Sequence, residues 1–99
     1  MLPILPRAAR IALPLPIAYR TPRDEQWFRS RILNISESGV LFGPTGLTPG
    51  ASVEVMFVAP RQIGSIASGK LVCVGEVVRT TETGAAAATF AECRFVLDA

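Results

Sequence analysis

Histidine is missing from this 99-residue chain, and with it go the commonest general base and the commonest metal ligand. Cysteine is nearly as scarce, with only Cys73 and Cys93 present. They are twenty residues apart without a CxxC spacing, so alone they cannot build a zinc site. They can form a redox pair only if the fold brings them together. Cysteine is among the most buried residue types, and two inert core thiols are therefore expected. The carboxylates are scattered, no serine or cysteine has a histidine to activate it, and neither a P-loop nor a GxGxxG run is present. These absences argue against an enzyme and for a binding module. No stretch approaches the ~18 apolar residues of a membrane span. Met1-Leu2-Pro3-Ile4-Leu5-Pro6 is apolar, but it lacks a basic start and is broken by proline, unlike a secretory signal. The expected location is cytoplasmic.

At 49% apolar and 18% charged residues, the chain has ample material for one compact core. Its net charge of +2 is unevenly spread. Residues 1–33 carry six arginines against Asp24 and Glu25, while the remainder is net acidic. An arginine-biased N-terminal third favours an anionic partner more than the total charge does, although on charge alone a solvated surface is the expected reading.

Strand periodicity dominates the pattern. Ile11, Leu13, Leu15, Ile17 and Tyr19 alternate with residues of the other parity, which reads as a first strand placed at an edge or bulge by Pro14 and Pro16. Further strands are predicted from Trp27 to Ile35, over Val40-Leu41-Phe42, from Ser52 to Val58, from Lys70 to Thr80 and from Ala86 to Leu97. Thr81-Glu82-Thr83-Gly84 would join the last two as a hairpin. The alanine run 85–88 is only about one helical turn long and is assigned to the hairpin flank. Residues 61–69 read as irregular and exposed. Trp27 and Phe28 are core or partner surface, with core expected. No amphipathic helix is evident. The prediction is an all-β fold, a small six-stranded antiparallel barrel whose closure removes exposed edges.

The most informative run is Arg31-Ile32-Leu33-Asn34-Ile35-Ser36-Glu37-Ser38-Gly39-Val40-Leu41-Phe42. Read locally, Asn34 and Ser36 nucleate a turn and Gly39 supplies a positive φ. In its frame the run resembles the PilZ domain family, whose motif [Asp/Asn]-x-Ser-x-x-Gly is matched by Asn34, Ser36 and Gly39. The Arg10–Tyr19 strand, Gly50-Ala51-Ser52-Val53-Glu54-Val55, Gly75-Glu76-Val77-Val78-Arg79 and Cys93-Arg94-Phe95 are also similar to family strands.

The resemblance implies a bacterial second-messenger receptor binding cyclic di-GMP, with a domain at residues 11–99 and an extended arginine-bearing segment at 1–10. No cofactor is implied beyond that ligand. The implied ligand residues are Arg7, Arg10, Asn34, Ser36 and Gly39. The family's N-terminal Arg-x-x-x-Arg is here Arg7-Ala8-Ala9-Arg10, with Pro6 where the first arginine belongs. That departure motivates the alternative of a PilZ-like adaptor that contacts a protein partner without ligand. The family's C-terminal helix is absent or vestigial. A specific nucleic-acid polymer is not expected, because aromatics to stack bases are few.

Overall fold

Val53, Val55 and Phe57 alternate with Ser52, Glu54 and Met56, and in the computed structural model this run is a strand with the first set buried. The structure describes residues 12–96. Six strands lie among them: β1 Pro16–Arg20, β2 Phe28–Ser36, β3 Gly39–Gly43, β4 Ser52–Ala59, β5 Gly69–Thr80 and β6 Ala86–Phe95. All neighbours are antiparallel, and the sheet closes into a barrel in the order β1-β2-β3-β6-β5-β4. No helix occurs among the described residues. The interior is filled by inward side chains from every strand, including Ile17, Ile32, Phe42, Val55, Val77 and Ala86. The barrel is a packed core and not a channel.

The first strand is shorter than its alternation predicts. Pairing begins at Pro16, because Pro14 and Pro16 have no N–H to give a ladder. Leu13 and Leu15 still pack on the core, and the Leu15 carbonyl accepts from Ile32 N–H at 2.9 Å. Trp27 and Phe28 are not core residues. Phe28 is exposed, and half-buried Trp27 lies 4.3 Å beneath the Arg20 guanidinium, which also pairs with Glu54 at 3.1 Å.

Residues 61–69 are not wholly exposed either. Ile63 and Ile66 exchange both backbone hydrogen bonds at 2.8 Å across Gly64-Ser65. Both isoleucines are buried in the core. The segment links the end of β4 to the start of β5, so it forms a lid over that end of the barrel.

The cysteines require a larger correction. Cys73 and Cys93 are direct partners in the β5–β6 ladder, and they are joined by a disulfide. They are not inert thiols. Two bulges set this up, Val78 being the extra residue on β5 and Ala91 the extra residue on β6. One insertion on each strand cancels the other, and register is restored at the cysteines. The bond forms where the compartment is oxidising; in a reducing one the pair is two adjacent thiols.

Closing a loop of this length constrains the unfolded chain by about 3 kcal/mol. Reduction by a dithiol should therefore lower the thermal midpoint clearly, whereas a Cys73→Ser variant should not respond to reductant. An unchanged midpoint for the reduced wild type, with free thiols confirmed by titration, would show that the bond does not stabilise the fold.

Candidate functional site

The turn joining β2 to β3 sits at the barrel end capped by the Ile63/Ile66 lid. β2 finishes there at Ser36 and β3 starts at Gly39. Ser36 is fully buried, and its Oγ accepts from Ser38 N–H at 3.2 Å while sharing a hydrogen bond with Ser38 Oγ at 3.0 Å. Its hydroxyl is thus engaged in shaping the turn. The Ser38 carbonyl accepts from Phe90 N–H at 2.9 Å, which fastens the turn to β6.

Gly39 does not have the positive φ expected of it; that conformation is confined to Gly50, Gly64, Gly69 and Gly84 among the described residues. Gly39 is required for a different reason. A Cβ there would strike the Ala88 carbonyl of β6. On the other side of β6, a Cβ at Gly75 would strike the Thr89 carbonyl. The β6 backbone is therefore gripped between two glycines.

Glu37 ties the turn to the lid. Its Oε2 accepts from Ser65 N–H at 2.6 Å. Hydrogen bonds from the Ser65 side chain and backbone hold the Glu37 carboxyl below its ordinary value, against a small opposing effect of desolvation.

Outside the barrel the turn borders a low platform. Asn34 pairs with Leu41, Leu41 with Ala87, and Ala87 with Arg79. These four make one outward-facing row across β2, β3, β6 and β5. The neighbouring outward positions are Gly39 and Gly43 on β3 and Thr89 on β6, with Ala85 just before β6. The surface between the flanking strands is thus built from small residues, one threonine and one leucine. Arg29 and Arg31 are exposed on the outer face of β2. Such a wall, flat and apolar in its centre with the Asn34 carboxamide at one margin and the Arg79 guanidinium at the other, suits a planar anionic ligand.

Of the residues singled out in the sequence, the structure brings Asn34, Ser36 and Gly39 together at this corner. Arg7 and Arg10 lie outside the described residues. The described chain begins at Ala12 and runs beside β2, where the Leu15 carbonyl accepts from Ile32 N–H at 2.9 Å. Sequence reasoning missed the Glu37–Ser65 tether and the Asn34–Arg79 row. A separate apolar groove of about 600 Å³ lies toward β1 and β4, with Leu15, Trp27, Met56, Val58 and Pro60 on its walls and Lys70 at its margin.

The PilZ domain family profile matches residues 6–98. Among solved structures, the fold is similar to the crystal structure of the PilZ domain of CeSA from a cellulose-synthesizing bacterium. The TM-score is 0.63 at 14% identity, over 86% of this chain and 82% of that one, which is a likeness of fold. No curated protein matches the chain.

Two outcomes are expected at this corner. Gly39→Ala forces β3 and β6 apart and should cost about 2 kcal/mol in urea denaturation, as overpacking does; a stability equal to wild type would mean that the approach relaxes freely. The Glu37 pKa is lowered by folding, so its tether contributes above the ordinary glutamate pKa and is lost as pH falls through the lower folded value. The Ser65 amide NMR shift should titrate with a midpoint below that of an ordinary glutamate, and Glu37→Gln should abolish the transition. A midpoint at the ordinary value would remove the tether.

Proposed function

The chain belongs to the PilZ domain family, and on that premise we propose that it is a cyclic di-GMP receptor domain that carries a bacterial second-messenger signal to a protein partner. PilZ domains are binding and regulatory domains, generally for this ligand. The observation that carries the proposal is a coincidence of place. The Asn34–Gly39 turn and the small-residue platform share one corner of the barrel, and the described chain begins beside β2.

The chemistry fits the ligand. Cyclic di-GMP has two phosphates and two guanines. A guanidinium fork engages the O6 and N7 acceptors of guanine, or stacks on the purine while its charge meets phosphate. Arg7 and Arg10 are assigned to this role. The opposite guanine edge offers N–H donors, which the Asn34 carbonyl oxygen and turn carbonyls are suited to accept. Ser36 acts through the turn it holds, and Gly39 through the close strand approach that keeps the wall low. Ligand binding on this wall would change what the domain presents to a partner.

A second reading, a PilZ-like adaptor without ligand, has two observations in its favour. Pro6 stands where the family's first arginine belongs, and the groove beside Trp27 and Val58 is an apolar surface of the kind that partners cover.

Calorimetric titration with cyclic di-GMP separates the two. Heat of binding at micromolar ligand is expected for the receptor. Arg10→Ala should weaken affinity at least tenfold, the scale of a lost charge-assisted contact, while Arg29→Ala should change it little. Folded protein giving no heat at tens of micromolar ligand would leave only the adaptor. Equal losses in the two variants would mean the site is misplaced.

A further inference from the structure

The row Asn34–Leu41–Ala87–Arg79 has an unusual construction. Both of its end residues follow a β-bulge. On β2 the register shifts between Ile32 and Asn34, so Leu33 is the extra residue. On β5 it shifts between Val77 and Arg79, so Val78 is the extra residue. Ile32 and Val77 are fully buried, and strict alternation from either would send Asn34 and Arg79 into the barrel. The bulges turn both outward instead. The change leaves two apolar side chains on the surface, Leu33 at 47% exposure and Val78 at 49%.

Between these ends nothing projects far. Leu41 is half-buried, and Ala87 is 5% exposed. The two end residues are three strand spacings apart, about 14 Å from Cα to Cα, and both border the same low wall. Arg79 is exposed and forms no ion pair among the described residues. Its charge therefore has no counterpart within the described fold, and its side chain is able to lie across Ala87 toward Asn34.

We propose that Arg79 is a ligand-contacting residue that reads the O6/N7 edge of one guanine from the β5 side of the wall. This assignment rests on the receptor reading above. It places a cation opposite the N-terminal arginines, so that the ligand is approached from two directions. The chemistry calls for arginine, because the planar fork matches two adjacent acceptors in one plane, which an ammonium does not. Asn34, at the other end of the row, is left to the donor edge of a base.

The test is a cycle between protein and ligand. Cyclic di-GMP and its 7-deazaguanine analogue, which lacks the N7 acceptor, are titrated into wild type, Arg79→Ala, Arg79→Lys and Arg94→Ala. Arg94 faces outward on β6 opposite Val72, away from the row, and reports the general effect of one lost positive charge. Arg79→Ala should weaken cyclic di-GMP binding by about tenfold or more, with an unchanged thermal midpoint. Arg79→Lys should fail to restore it. The deaza analogue should bind wild type about tenfold more weakly, yet bind Arg79→Ala no worse than cyclic di-GMP does. Additive losses from the two changes, or a loss in Arg94→Ala equal to that in Arg79→Ala, would overturn the assignment. Wild type binding neither ligand would sink the receptor reading and this inference with it, whereas wild-type binding untouched by Arg79→Ala would sink the Arg79 assignment alone.

Discussion

The passage of β6 between Gly39 and Gly75 is the constraint on which the rest of the barrel depends. Its carbonyls at Ala88 and Thr89 occupy the places where side chains of β3 and β5 would otherwise begin. A Cβ at either glycine must push a backbone, and backbone in a closed sheet has nowhere to yield. The consequence spreads along β6. Ala85 to Ala88 are all buried, on both faces of the strand, and only alanine is small enough to be covered on the outer face by its neighbours. The alanine run is thus explained by packing, without reference to helix propensity.

The same tight approach couples the core to the corner where binding is assigned. Phe90, which follows Thr89 on β6, donates its N–H to the Ser38 carbonyl, and Glu37 in that turn accepts from Ser65 in the lid. The lid is anchored by Ile63 and Ile66 in the core. Turn, lid and core therefore share contacts through three successive residues, Glu37, Ser38 and Gly39. A ligand that moved the turn would act on the lid through one carboxylate and on the wall through one strand. This gives the binding corner a physical route to the rest of the molecule.

Much of the fold was legible in the sequence because alternation is a direct consequence of the pleat. Parity alone assigns Val53, Val55 and Phe57 to one face, and five strands from Phe28 onward begin and end within a residue or two of expectation. What was not legible lies where alternation breaks. Ile32-Leu33 and Val77-Val78 are adjacent apolar pairs inside strands, which was the available sign of a bulge, and without it Arg79 could not be given a face. The disulfide was hidden by the same cause, since its register depends on two insertions that cancel. Gly39 was noticed for the wrong reason. A glycine that opens a strand signals either positive φ or close approach, and local sequence cannot choose between a local backbone requirement and a neighbour some fifty residues away. Arg7 and Arg10 lie outside the described residues; the turn residues Asn34, Ser36 and Gly39 have a place in the fold, while the binding role of all five rests on the family resemblance.

A closed barrel of this size leaves a ligand one kind of place to bind. The interior is filled by apolar side chains, from Ile17 and Ile32 to Val77 and Ala88, and a doubly charged dinucleotide cannot enter it without losing its hydration. Under the receptor reading, recognition would use the outer wall. On that wall the row across β3 and β6 supplies no long polar group, because Leu41 and Ala87 occupy it and close packing keeps Gly39, Gly43 and Ala85 beside it small. Polar contacts must then come from the flanking strands, reaching inward over a low centre, or from a segment laid across the top. Asn34 on β2 and Arg79 on β5 occupy the flanks. The smallness that lets the barrel close is therefore also what would leave room for a purine under the receptor reading, with the polar contacts coming from the margins.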